Sequence, residues 1–422
     1  MATVMPTWVA AGTVSASTGA ATPGIPTGTT TNDIMLLFAE SNGQAISTPS
    51  GWAQIDTQTT TGTRLSVFWK RATASESAPT VADPGDHVTA RIHTIRGCVE
   101  TGNPYNAFQG GVEATSDTSL SATGTTTTLV NCLVVVGATS SADITTSGTA
   151  AWSGWTNASL SSLTERSDDR RTEGDGGCLG VATGGKATAG ATGSTTATLS
   201  TSPTSSAGTK AFITIAMQPR VEFVGEVTDN FSTLSTTTGP WAAFSYGTIA
   251  STNGNLVTTT QSAYSGAFTY STYNFTGQTA SIRTDQVPTG GNNTQHGFLQ
   301  LQLDSTNVIE MGVYANDFYT MKRVAGTDTK TVYAAYNPQI HRYWRIRESS
   351  GNTIFDFSTN GYTWFQMATM ANPFAVTALF IHIGSGYTGT EPSPVNFISD
   401  NLNLPVTSPG NSVGVMMGAG GG

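Results

Sequence analysis

The chain has 422 residues, enough for two or three separate cores, and carries a net charge of −9 with a pI of about 5.0. Only 11% of residues are charged, 37% are hydrophobic and 47 are glycine, so hydroxyls and backbone solvate this chain where Lys and Glu usually would. No basic cluster exceeds Arg170-Arg171, which follows Asp168-Asp169. Nucleic acid demands a positive stripe and is therefore not an expected partner. No window keeps the i, i+3, i+4, i+7 spacing of an amphipathic helix, and no apolar run approaches the ~20 residues needed to span a bilayer. Thr favours strands and Gly favours turns, so the bias suits short strands and many loops.

The N-terminal segment MATVMPTWVAAGTVSAS lacks a basic n-region and a continuous apolar core. A secretion signal is not expected there, and synthesis and folding in a cytoplasm are. Residues 1–30 are rich in Thr, Gly, Ala and Pro, with Trp8 and Val9 as apolar anchors. Asp33 to Ala39 is a compact apolar run of strand length, expected to be buried on both faces. Gly51-Trp52 follows a Pro-Ser turn, and Arg64–Arg71 and Val88–Ile95 are the next strands. The same order returns about a hundred residues on. Leu129–Val136 answers Ile34–Phe38, Gly154-Trp155 answers Gly51-Trp52, Gly177–Val181 answers Leu65–Phe68, and Lys210–Met217 answers Val88–Ile95. Residues 1–219 therefore read as one β-sandwich with two similar halves, or as two small β-modules, because pairing the halves covers edges that each alone would expose.

After a junction at residues 219–223, the strands are Phe298–Leu303, Val308–Tyr314, Phe318–Val324, Lys330–Ala335, a meander from Tyr343 to Met367, Val376–Ile383, and a closing strand at Phe397–Leu402. In the first of these, leucines 299, 301 and 303 face one way and Gln300 and Gln302 the other, the mark of a half-solvated antiparallel sheet. In the meander, Trp344 and Ile346 share a face opposite Tyr343, Arg345 and Arg347, and Phe355 and Phe357 alternate with Ile354 and Asp356. Ser349-Ser350-Gly351-Asn352 makes its first turn, Asn360-Gly361 predicts a type I′ turn, and Trp364 opens its third strand. The fold class is all-β: two tandem antiparallel β-sandwich, jelly-roll-like domains at 1–219 and 220–406, the first an internal duplication. A flexible Gly-rich tail follows at 407–422, with Val413, Val415, Met416 and Met417 as a docking plug or simply a disordered end.

Two resemblances follow from these words. Gly51-Trp52, Val67-Phe68-Trp69-Lys70-Arg71-Ala72, Ile95-Arg96-Gly97 and Asn103-Pro104-Tyr105-Asn106-Ala107 resemble a β-sandwich found repeatedly in tailed-bacteriophage structural proteins, over residues 30–219. Asp229-Asn230-Phe231, Trp241, Asn253-Gly254-Asn255-Leu256, Trp344-Arg345-Ile346, Ser358 to Trp364 and Asp400-Asn401-Leu402 resemble a concanavalin A-like lectin or laminin-G-type jelly roll, over residues 225–406. The first implies a virion structural protein, at the tail tip or tail fibre, with capsid decoration or a head fibre as alternative. The second implies a carbohydrate- or protein-binding module. Expected partners are other virion proteins, copies of the chain itself with a trimer favoured, and a host-surface glycan.

A search for chemistry ends without a reaction centre. Some jelly rolls of this kind are glycosidases, which need two flanking carboxylates, and the family spacing Glu-x-Asp-x-x-Glu is missing. Glu222, Glu226 and Asp229 are wrongly spaced. The five histidines make no metal-spaced pair, no Gly-x-Ser-x-Gly elbow occurs, and Cys98, Cys132 and Cys178 have neither disulfide nor zinc spacing. Asp304, Asn307, Asp317 and Asp328 invite calcium, but carboxylates at β-turns more often build the turn. Asn157, Asn274 and Asn292 match the glycosylation pattern by chance in a Ser/Thr-rich chain. The expectation is thus no enzyme, no cofactor and no metal. Tyr314, Phe380 and His382, which oppose their Leu and Ile neighbours, are the candidate ligand-binding residues, with cross-strand packing as the competing reading.

Overall fold

The structure is a computed structural model that describes residues 3–142, 146–148, 150–200, 208–234, 240–245, 249–259, 264–288, 295–387 and 395–405. The tail at 407–422 and the Asn292 match lie outside the described residues. The chain divides into two compact units, Thr3–Arg220 and the part from Val221 onward. Among the described residues no helix is long and apolar enough to cross a membrane.

The first unit is built from β1 (Thr7–Ala11), β2 (Ile34–Ser41), β3 (Ala53–Thr60), β4 (Thr63–Arg71), β5 (Val88–Arg96) and β6 (Tyr105–Asp117), then β7 (Ser119–Ala122), β8 (Cys132–Ser140), β9 (Trp152–Thr156), β10 (Ser161–Arg171), β11 (Gly177–Lys186), β12 (Thr195–Leu199) and β13 (Gly208–Met217). One sheet runs β1-β5-β2-β4-β3 and the other β6-β13-β8-β11-β10. The orders superpose strand for strand, with β8 in the place of β2, β11 of β4, β10 of β3, β13 of β5 and β6 of β1. The two sheets share a core of Ile34, Leu36, Phe38, Leu65 and Val67 against Leu133, Val135, Leu179, Val181 and Ile213. Each central strand is buried on both faces because each sheet is also covered outside. Loop residues Ile46, Trp52 and Val81 cover Met35, Leu37 and Ala39, while the small sheet β9-β12-β7 covers Val134, Val136 and Ala138. The ladders are antiparallel.

Gly51 and Gly154 take the same left-handed backbone, φ 78° and 64°, each just before a tryptophan, and Trp155 packs, partly exposed, beside the buried Trp152. One detail of the repeat differs from the sequence reading. The second central strand starts at Cys132 rather than Leu129, because Asn131 takes a positive φ of 57° and leaves Leu129 and Val130 exposed before the ladder begins. The three cysteines are free and buried among apolar side chains.

His87 and His93, six apart in sequence, serve two polar networks inside this unit. His93 bridges Trp8 Nε1 (3.3 Å) and Ser167 Oγ (3.1 Å), and burial keeps it neutral, with its pKa lowered to about 3. His87 lies between Glu40 Oε2 at 3.1 Å and Asp86 Oδ2 at 2.6 Å. Burial favours the neutral ring, but the two carboxylates outweigh it and lift the pKa to about 9. Burial pushes the Glu40 carboxyl up as well. Both folded values lie above the unfolded ones, so both contributions weaken with rising pH. The His87 contribution is whole below about pH 6.5 and disappears as the pH climbs through its folded value, with a ceiling of about 3 kcal/mol. Calorimetry of the full chain between about pH 7 and 10 should show a falling melting temperature, and His87→Gln should flatten that dependence.

The second unit contains β14 (Trp241–Ser245), β15 (Ile249–Thr252), β16 (Asn255–Thr259), β17 (Ser265–Thr269), β18 (Thr279–Gln286), β19 (Gln295–Asp304), β20 (Asn307–Tyr314), β21 (Asp317–Val324), β22 (Thr327–Ala335), β23 (Tyr343–Ser349), β24 (Asn352–Ser358), β25 (Phe365–Ala371), β26 (Phe380–Tyr387) and β27 (Asn396–Asp400). They form two seven-stranded sheets, β14-β17-β26-β19-β20-β21-β22 and β15-β16-β27-β18-β23-β24-β25. This is a jelly roll. Its core takes Leu299, Leu301, Ile309, Met311, Phe318, Ile381 and Ile383 from one sheet and Ile282, Trp344, Ile346, Phe355 and Phe397 from the other. Trp344 pairs with Phe357 and Ile346 with Phe355, so the alternation read in the meander holds. On its other face Asp356 is buried and accepts from Arg345 Nε (2.9 Å) and Arg347 Nε (2.8 Å).

The turns of the meander exchange roles. Positive φ at both central residues falls at Ser350-Gly351, 52° and 80°, while at Asn360-Gly361 only the glycine is left-handed. Asn360 Oδ1 instead accepts the N–H groups of Tyr362 (3.1 Å) and Thr363 (2.9 Å), and Ser358 Oγ accepts that of Gly361 (2.8 Å). The side chains thus hold a wider loop. The third strand begins at Phe365, after Trp364 has settled on the Arg345 guanidinium at 4.1 Å. The Asp229-Asn230-Phe231 word is also structural: Asp229 accepts from Trp241 Nε1 and from the Phe231 N–H, each at 2.6 Å, and both aromatic rings are buried.

Candidate functional site

The outer face of the first jelly-roll sheet is set by strand alternation. On β19 the leucines go inward, which sends His296, Phe298, Gln300 and Gln302 outward. On β20, Ile309, Met311 and Val313 go inward, so Val308, Glu310 and Tyr314 join them. Antiparallel register then aligns the polar residues: Gln300 lies opposite Glu310 on one side and opposite His382 on the other, and His296 lies opposite Tyr314. Tyr319, Met321, Arg323, Asp328 and Lys330 from β21 and β22 complete the wall of a cleft of about 370 Å³. That volume is within the usual range for small-ligand sites. Tyr264 closes the other side, and it fits there because β26 carries Gly386 beneath it; a Cβ on Gly386 would come within 2.1 Å of the tyrosine ring.

Glu310 is the centre of the floor, with 1% of its surface exposed. Its Oε1 accepts from His296 Nε2 at 3.1 Å and from the Tyr319 hydroxyl, and its Oε2 accepts from Gln300 Nε2. Gln300 is thereby oriented with its carbonyl toward His382, whose Nδ1–H donates to it at 3.1 Å. Burial opposes ionisation of Glu310, but His296, Tyr319 and Gln300 together outweigh it and hold the carboxyl below its ordinary value. Burial and then the neighbouring Glu310 push the Tyr319 phenol well up, and burial lowers His382 to about 4. At neutral pH the floor is one carboxylate wrapped by hydrogen-bond donors.

At the mouth, the Lys330 ammonium stands 4.2 Å from the Tyr314 ring centre and 5.0 Å from that of Tyr319. Arg323 holds Asp328 through Nε (2.6 Å) and Nη2 (3.0 Å), and this keeps the Asp328 carboxyl below its ordinary value. Such a floor can orient hydroxyls and offset positive charge developing on a bound ring. The paired-carboxylate route of glycosidases needs a proton-donating acid as well. Asp328, the other carboxylate of the lining, is held ionised by Arg323.

Of the sequence candidates, Tyr314 and His382 line this cleft together. Phe380 shares their face of the sheet opposite Gln302, but it is not part of the lining. Glu310, His296, Tyr319 and Lys330 were not singled out from sequence, although the outward alternation of Glu310 between Ile309 and Met311 was a visible signal. Asp304 does act as a turn former, accepting from Thr306 N (2.8 Å) and Asn307 Nδ2 (3.0 Å).

No protein-family model matches the chain, and no curated protein matches it. Solved structures do. A Crh5 transglycosylase in complex with NAG is 13% identical, with 43% of this chain and 85% of that one covered and a TM-score of 0.33. A Bacteroides ovatus mixed linkage glucan GH16 protein is 11% identical, covering 42% of this chain and 98% of its own, at a TM-score of 0.32. A Bacillus licheniformis beta-glucanase is 11% identical, covering 42% and 96%, at 0.30. These findings stand against the expectation that the chain is not an enzyme: the solved structures it is similar to are a transglycosylase and glycoside hydrolases.

Proposed function

We propose that this chain is a structural component of a tailed-phage particle, of the tail-tip or tail-fibre kind, whose jelly roll binds a host-surface saccharide in the cleft between Tyr314 and His382. The observation that supports it is the cleft itself: aromatic faces for sugar rings at Tyr264 and Tyr314 beside ordered polar groups that can pair with hydroxyls. The resemblance of residues 30–219 to a phage sandwich supports the placement on a particle. Repeated copies, a trimer first among them, would add avidity to weak single sites.

Two measurements test the reading. Mass spectrometry and density of purified particles should place the chain in the tail; absence from the particle ends the placement, and density on the head moves it to decoration. A glycan array probed with the full chain should return hits that Tyr314→Ala weakens about tenfold, the scale of one lost stacking contact. The same incubations are scored for new reducing ends, which would make the cleft a hydrolytic site. An array without hits that also shows no cleavage ends the saccharide reading.

A further inference from the structure

The charges around the cleft are unevenly engaged. The floor carboxylate of Glu310 has three donors, and Arg323 is taken by a bidentate contact with Asp328. Lys330 is different: among the described residues no carboxylate lies within ion-pair reach of it, and its ammonium rests over the Tyr314 and Tyr319 rings at the mouth of the cleft. We propose that the cleft selects acidic saccharides, with an anionic substituent of the sugar, carboxylate or sulfate, held by Lys330.

The inference rests on the saccharide reading above and adds the ligand's charge. A sugar ring entering beside Tyr314 would bring its substituents next to the ammonium that lies over that aromatic surface. The partly apolar walls reduce screening there relative to open water, so an ion pair formed in the cleft is stronger than one on a free surface. A neutral sugar gains the stacking and hydroxyl contacts but leaves Lys330 with only the aromatic faces. An anionic sugar gains both. It meets no unpaired carboxylate at the rim, because Asp328 is neutralised by Arg323, and the negative floor is shielded by His296, Tyr319 and Gln300.

Titration calorimetry of the full chain with three oligosaccharides of equal length tests this: a uronate oligomer, a sulfated galactan oligomer and a neutral glucan oligomer. The expected result is about five- to tenfold tighter binding of at least one acidic oligomer, a preference that shrinks with added salt. The uronate and sulfate arms tell which anion is taken. Lys330→Met, on a strand whose residues are mostly exposed, should erase the preference, with binding of the acidic oligomer falling more than binding of the neutral one. Equal binding of all three, or a preference that survives Lys330→Met, overturns this inference while the saccharide reading stands. Binding of none of the three, together with a blank array, overturns both.

Discussion

Trp344→Ala is expected to destabilise the jelly roll by about 3–5 kcal/mol, the scale of removing a fully buried aromatic side chain. Trp344 is 0% exposed and stands between the sheets: its ring stacks on Phe397 at 5.8 Å and meets Phe318 of the opposite sheet at 5.6 Å. Its Nε1–H also donates to the His341 carbonyl at 2.9 Å, so truncation leaves a cavity and leaves that buried acceptor with only the longer contact from Thr284 Oγ1 at 3.5 Å. For a unit of this size the loss corresponds to a melting temperature lower by roughly 6–20 °C. Scanning calorimetry of the full chain with near-ultraviolet dichroism would measure it. Trp344→Phe should cost less because much of the ring volume stays. A change below about 1 kcal/mol for the alanine variant would show that this ring is not what joins the two sheets.

Glu310→Ala should cost a similar amount, about 3–5 kcal/mol, for a different reason. It removes little apolar area but strips the acceptor from His296 Nε2, the Tyr319 hydroxyl and Gln300 Nε2 together. Glu310→Gln should be milder. If Gln300 turns over, its carbonyl can accept from the new amide and its amino group can face His382 in the other tautomer, so the network is rebuilt one donor at a time. The pH dependence has a definite sign. The folded Glu310 carboxyl lies below its unfolded value, so its contribution is present above about pH 4.5 and is lost as the pH falls through the folded value. Urea midpoints from neutral pH down to about pH 3 should therefore drop more steeply in the parent than in Glu310→Ala. Parallel slopes would mean that the floor carboxylate is not charged in the folded protein.

These two residues mark the limits of reading the chain before folding it. Trp344, Ile346, Phe355 and Phe357 were legible because side-chain alternation alone decides which face of a strand is apolar, and one face must be dry. Leu299 and Leu301 against Gln300 and Gln302 were legible for the same reason. The turn at Asn360-Gly361 was misread because two side chains, Ser358 and Asn360, outbid the local dipeptide preference for the loop N–H groups.

What the sequence determined by itself was the class: a charge-poor, Thr- and Gly-rich chain with period-two apolar runs makes layered antiparallel sheets, since that pattern buries its apolar side only when strands pair and stack. It also determined which residues point away from the core, Glu310, Tyr314 and His382 among them. Only the tertiary structure decided that these meet. Gln300 bridges Glu310 and His382 because β19 lies between β20 and β26, and β26 is more than seventy residues away along the chain. Alternation is a property of one strand and is written in its residues. Neighbourhood across a sheet is a property of the order of strands, which follows from how long-range loops close and cores fill, so the cleft exists only once that order is set.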